Sequence, residues 1–169
     1  MTVISPLKDL FLRATQNKGD GIRIASDING TLIPFGGDIR PDLFKFLVFM
    51  KLAGADVTIF SNAHVDDLEI RFEVLSLREV PNLLKPMRLS PEQKKSVLTE
   101  MWVPHSKFDY KPEDISDPFD LVFDDEGADY TKYRMHLDPQ NRAVRAMLQE
   151  FDRDIQIEDL DKSSDLSLS

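Results

Sequence analysis

Three short apolar runs, each stopping at polar or acidic residues, constrain this chain more than anything else in it. Ile22-Arg23-Ile24-Ala25-Ser26 stops at Asp27, Val57-Thr58-Ile59-Phe60 stops at Ser61-Asn62, and Leu121-Val122-Phe123 stops at Asp124-Asp125. Runs of this length read as buried strands. Between them lie helical patterns. Ser5-Pro6 followed by Leu7, Leu10, Phe11 and Ala14 opens a first helix. Pro41 starts a strongly apolar one through Leu43, Phe44, Leu47 and Met50 that Gly54 closes. Val65, Leu68, Phe72 and Leu75 share one face of a third, and Ser90-Pro91-Glu92-Gln93 has the form of a capping box opening a helix through Trp102. Asn82-Leu83-Leu84 reads as a short third strand, Val103 to Pro118 as a loop, and Tyr133 to Leu137 as a fifth strand. Asp138-Pro139 caps a last helix with Val144, Met147, Leu148 and Phe151 inward. Strands alternating with helices predict an α/β fold, a three-layer Rossmann-like arrangement with a mainly parallel central sheet and helices on both faces.

The 169 residues, 41% hydrophobic and 30% charged, suffice for one domain over residues 1–155. From Gln156 to residue 169 the chain turns acidic and serine-rich and reads as a disordered tail. A formal net charge of -9 disfavours nucleic acid as a partner. The absence of cysteine excludes disulfide frameworks, thiolate zinc sites and thiol nucleophiles. Leu43 to Ala53, the longest apolar stretch, is interrupted by Lys45 and Lys51, so no membrane association is expected. No secretory signal is visible at Met1 to Pro6, and the expected location is cytoplasmic.

In a parallel sheet, ligands bind beyond the carboxyl ends of the strands. The strand ends would gather Asp27, Ser61, Asn62, Asp124 and Asp125 beside the glycine-containing turn Asn29-Gly30. Crowded carboxylates repel one another unless a hard cation holds them, and oxygen donors suit Mg²⁺. Such a site is equipped for metal-assisted phosphoryl transfer.

These residues resemble the haloacid dehalogenase-like superfamily of phosphohydrolases. Its first motif is an apolar strand followed by Asp-x-Asp-Gly-Thr-Leu, and here the segment reads Ile24-Ala25-Ser26-Asp27-Ile28-Asn29-Gly30-Thr31-Leu32. Val57 to Asn62 resembles the second motif and Leu121 to Asp125 the fourth, all in the family's order. The resemblance implies a hydrolase, a phosphatase or phosphotransferase acting through an aspartyl-phosphate on Asp27. Ser61 and Asn62 would bind phosphoryl oxygens. Mg²⁺ would be held by Asp27, the backbone carbonyl of Asn29, Asp124 and Asp125, with Asp129 a weaker ligand. The third motif supplies a lysine; Lys85, followed by proline and a capped helix, is preferred, and Lys111 is the alternate.

Asn29 departs from the pattern, because the family's second Asp serves there as general acid and base and an amide does neither. Two readings follow: a phosphatase or phosphotransferase weakened by Asn29, and a catalytically degenerate binding or regulatory module. No inserted cap fits between Asp27 and Ser61, so the site should be open. It suits a phosphorylated small molecule or macromolecule, or a partner protein that completes the enclosure. Taken singly, the motifs have plainer explanations: Asn29-Gly30 as a hairpin turn, Ser61-Asn62 as a helix cap, Asp124-Asp125-Glu126 as a solvated turn. His64, His105 and His136 lack metal-ligand spacing.

Overall fold

The computed structural model describes residues 5–16, 21–34, 37–61 and 73–161. The order is α1 (Pro6–Gln16), β1 (Arg23–Asp27), α2 (Pro41–Leu52), β2 (Asp56–Ser61), a helical stretch at 73–78, and α3 (Val80–Leu84). A 3₁₀ turn (Lys85–Met87), α4 (Pro91–Ser96) and a π-helical turn (Val97–Met101) come next. Then follow β3 (Pro104–Ser106), a second 3₁₀ turn (Lys107–Tyr110), β4 (Leu121–Phe123), β5 (His136–Leu137) and α5 (Arg142–Asp154). The five strands form one sheet in the order β3-β2-β1-β4-β5, and every pair is parallel. The fold is α/β.

Side-chain alternation divides the sheet into two faces. Ile24, Val57, Ile59, Leu121 and Phe123 join the main core with residues of α1, α2, α3 and α5. Helix α2 is its centre: Leu43 through Met50 are all buried, as a helix apolar almost all round must be. Lys45 is tolerated there because its Nζ bonds the Asp152 carbonyl at 2.7 Å and pairs with the Asp152 carboxylate at 3.1 Å. Phe151 of α5 packs edge-on against Phe11, Phe46 and Phe49 at 5.5, 5.0 and 6.3 Å between ring centres. The phenylalanines of α2 are therefore core.

Ala25, Phe60 and Val122 face the other way, against Phe119 and Ala128 and the partly buried Tyr110, Tyr130 and Tyr133. The described helices that join the main core pack with the first face, and the second face carries, among the described residues, turns bearing aromatic rings. These rings mark the face of the sheet onto which Asp27 alternates.

Several local expectations are corrected. Asn82-Leu83-Leu84 is helical, in α3, with Pro81 at its start and Val80 and Leu84 inward. The segment expected as one loop carries edge strand β3 and the Lys107–Tyr110 turn; its three strand residues are half-buried and leave no apolar run to detect. Asn29-Gly30 is not a hairpin turn, because β1 lies between two parallel neighbours. Gly30, at φ 81°, makes the sharp bend that lets Asn29 bridge to Ile33 instead. The last helix is capped by Asn141, whose side chain accepts from the Ala143 amide, rather than by Asp138.

Other expectations stand. Ser90 and Gln93 form the reciprocal capping box, and Gly54, at φ 101°, follows the end of α2. The helix expected around Val65, Leu68 and Phe72 lies outside the described residues apart from 73–78. The acidic segment contributes its start to the fold: Ile157 and Leu160 pack on the main core, and Glu158 pairs with Arg88 at 2.7 Å. No helix among the described residues is long and apolar enough to cross a membrane.

Phe151→Ala removes the ring on which three others converge and should lower unfolding free energy by about 3–5 kcal/mol, read by urea melts. A loss below about 1 kcal/mol would show that α5 is not integral to the core.

Candidate active site

Chain order and strand order diverge at β1: the path runs outward through β2 to β3, then returns to the opposite side as β4. At such a switch point the connections leave in opposite directions and open a crevice at the carboxyl ends. Asp27 is the last residue of β1, Ser61 the last of β2, Lys107 follows β3, and Asp124 follows β4.

Asp27, Asp124 and Asp125 each offer a carboxylate oxygen within 4.8 Å of the others. Asp27 and Asp124 are buried, at 6% and 1% exposure, and Asp125 is half-buried. The Lys107 Nζ lies between the first two, 3.1 Å from Asp27 Oδ1 and 2.8 Å from Asp124 Oδ2. Thr31, fully buried, links the other pair: its Oγ1 is 3.0 Å from both Asp27 Oδ2 and Asp125 Oδ1 and accepts from the Asp125 amide at 2.8 Å.

Asp124 is the most fully bonded member. Its Oδ2 also accepts from the Tyr130 hydroxyl at 2.8 Å, its Oδ1 accepts from the Glu126 amide at 3.0 Å, and its backbone oxygen meets His136 Nε2 at 2.8 Å. The Tyr130 ring lies 4.5 Å from Lys107 Nζ and the Phe60 ring 5.8 Å from it, so aromatic faces complete the lysine's surroundings. Gln140, just before α5, donates to the Gly30 carbonyl at 3.0 Å and ties the loop after β1 to that end of the sheet.

Burial pushes the Asp27 carboxyl up to about 7; the Lys107 charge pulls it down and the Asp124 charge pushes it up further. Burial alone would lower Lys107, but the Asp124 hydrogen bond and the two carboxylate charges outweigh it and hold the ammonium above its ordinary value. Burial, then the Asp124 charge, raises the Tyr130 phenol, which therefore stays a donor at neutral pH.

Three carboxylates faced by one ammonium leave uncompensated negative charge at the strand ends. The donors are all oxygen, and Asp124 Oδ1 and Asp125 keep acceptor capacity, so the residues fit a hard divalent cation of the Mg²⁺ kind.

Of the residues singled out in the sequence, Asp27, Asp124 and Asp125 converge. Ser61 is buried and in register with Ser106 of β3, beside the Asp27–Phe60 pair. Asn29 is half-buried in the loop after β1, and Asn62 lies outside the described residues.

The lysine expectation is corrected. Lys85 is exposed on its 3₁₀ turn and lines a separate groove with Val80, Leu84, Lys94 and Leu98. Lys111 is exposed, one residue beyond the second 3₁₀ turn. The buried cation at the strand ends is Lys107, held in place by the edge strand that the sequence concealed. Asp129 is exposed and meets the Tyr133 hydroxyl at 3.4 Å, away from the carboxylate cluster. Tyr130, His136 and Gln140 gave no signal in the sequence, since each joins the site only through the return of the chain after β4.

Comparison of the chain with protein-family models, with curated proteins and with solved structures finds no match.

Because the Asp27 carboxyl sits above its ordinary value of 3.8, at about 7, the metal-free native state holds that proton more tightly than the unfolded chain. The stabilisation is complete below pH 3.8 and is lost as pH rises to about 7, a change on the order of 4 kcal/mol. In chelator, Asp27→Asn should therefore melt above the unsubstituted protein at pH 8, with the gap narrowing toward pH 5. A gap independent of pH would show that the carboxyl is not held above its ordinary value.

Proposed function

We propose that this chain is a haloacid dehalogenase-like domain catalysing Mg²⁺-dependent phosphoryl transfer through Asp27. The observation that carries the reading is the Lys107 ammonium bonded to both Asp27 and Asp124 at the end of the central strand, with Asp125 completing a carboxylate set of cation-binding dimensions. A structural ion pair needs one carboxylate for each ammonium. The surplus of acids here is what a cation-assisted reaction on an anionic substrate calls for.

In the first step an Asp27 carboxylate oxygen attacks phosphorus, the bond from phosphorus to the ester oxygen breaks, and the alkoxide or phenolate leaves with the electron pair and takes its proton from water. Lys107 lies close enough to Asp27 to offset charge between nucleophile and phosphoryl oxygens. Ser61 is the candidate hydroxyl donor to those oxygens. Water then attacks the phosphorus of the aspartyl-phosphate, releasing phosphate and regenerating the Asp27 carboxylate. Bound Mg²⁺, held by Asp27, Asp124 and Asp125, with the Asn29 carbonyl as a further donor, would supply charge neutralisation between enzyme and substrate anions. The expected substrate is a phosphorylated small molecule or macromolecule, with a partner protein able to close the open side, and the expected setting is the cytoplasm.

Asn29 limits this activity, because an amide cannot protonate the leaving oxygen or activate water, which typically removes ~10²–10⁴-fold in rate. The same residue supports the second reading, a regulatory module that keeps the cation and phosphate sites without turnover. The two differ in whether an activated ester is hydrolysed at all.

Hydrolysis of an aryl phosphate should require Mg²⁺ and disappear in Asp27→Asn and Asp124→Ala, as measured by release of the phenol. In beryllofluoride titrations with Mg²⁺, Lys107→Ala should lose binding and Lys85→Ala should retain it. Full turnover by Asp27→Asn would overturn the covalent reading. Asn29→Asp should increase hydrolysis of alkyl phosphates more than of aryl phosphates, by at most about 10²–10⁴-fold, since only the alkoxide needs a proton as it leaves. No gain on either substrate in a variant that binds Mg²⁺ normally would favour the regulatory module.

A further inference from the structure

The acceptor sites of Asp124 are unequally occupied. A carboxylate has about four lone-pair sites, two on each oxygen. On Oδ2 both are filled, by Lys107 Nζ at 2.8 Å and by the Tyr130 hydroxyl at 2.8 Å. On Oδ1 the Glu126 amide takes one at 3.0 Å and leaves one. Tyr130 is fixed in turn by its ring, which packs against Phe60 at 5.5 Å between centres and lies 4.5 Å from Lys107 Nζ.

Cations distinguish the two coordination modes of a carboxylate. Mg²⁺ demands a near-ideal octahedron and uses single oxygens, whereas Ca²⁺ accepts six to eight ligands and readily takes both oxygens of one carboxylate. We propose that Tyr130 is a positioning residue for cation selectivity: by filling the last acceptor site on Oδ2, its hydroxyl confines Asp124 to coordination through Oδ1 alone and so holds the site to Mg²⁺ against Ca²⁺. This rests on the reading that Asp124 holds a cation. Lys107 alone leaves one site on Oδ2 open; the tyrosine hydroxyl closes it.

Tyr130→Phe keeps the ring against Phe60 and Lys107 and removes only the hydroxyl. Thermal-shift titrations with Mg²⁺ and, separately, Ca²⁺ give a dissociation constant for each cation without any assay of activity. The ratio of the Ca²⁺ to the Mg²⁺ constant should fall about five-fold in Tyr130→Phe, the worth of one acceptor site gained or lost. In Tyr110→Phe, which removes a hydroxyl of the same aromatic cluster that bonds Thr58 and not a carboxylate, the ratio should stay unchanged. A merely structural role for Tyr130 moves both constants together, so an unchanged ratio overturns the proposal, as does an equal fall in Tyr110→Phe. If the unsubstituted protein is stabilised by neither cation, the cation reading of the site falls and takes this inference with it. Stabilisation of the unsubstituted protein with an unchanged ratio in Tyr130→Phe removes only the role of Tyr130.

Discussion

The contact of the Lys107 ammonium with both Asp27 and Asp124 is the interaction on which this sheet end depends. Two buried carboxylates on adjacent strands would otherwise push those strands apart, in surroundings that screen charge poorly. The lysine does not neutralise the cluster, because Asp125 remains and Thr31 can donate its single proton to only one of the two oxygens it touches. With its three carboxylates ionised against one ammonium, the site is thus assembled two charges short of balance. A purely structural polar cluster would have no reason to stop there.

The order of the strands makes that assembly possible. Because β1 lies between β2 and β4, its last residue has neighbours on both sides, and turns leaving in opposite directions open a crevice over it. The face that receives Asp27 is lined by Phe60, Phe119 and Tyr130, which offer one hydroxyl and, toward Lys107, two ring surfaces. The opposite face is given wholly to packing, with α2 at its centre and Phe151 binding the last helix to the first. The charged cluster and the main core therefore lie on different faces of one sheet.

The sequence made the central strands legible because each is a short apolar run with an abrupt polar end, and the acids at those ends are the acids that converge. Asp27, Asp124 and Asp125 could be named for that reason. Lys107 could not, because β3 is a half-buried edge strand of Pro104, His105 and Ser106, with neither an apolar run nor an alternation to announce it. The tempting lysines preceded prolines, a local feature, while the position that mattered was fixed by pairing with β2. Asn82-Leu83-Leu84 misled in the same way: three residues with the composition of a strand were drawn into a helix by Pro81 before them and by inward contacts of Val80 and Leu84. Tyr130 belongs to a loop whose course depends on where β5 pairs, information that local sequence does not carry.

Among the described residues strand β3 has one neighbour, β2; it begins with a proline and spans three residues. Peeling it from β2 breaks few backbone bonds and leaves the phenylalanine packing of the main core in place, though it disturbs the contacts of Tyr110 with Phe60 and Phe119, so it costs less than global unfolding. Yet that small excursion withdraws the ammonium from between Asp27 and Asp124. The cation on which the crevice depends is mounted just beyond a three-residue edge strand, so the fraction of time the crevice is armed is governed by fraying at an edge.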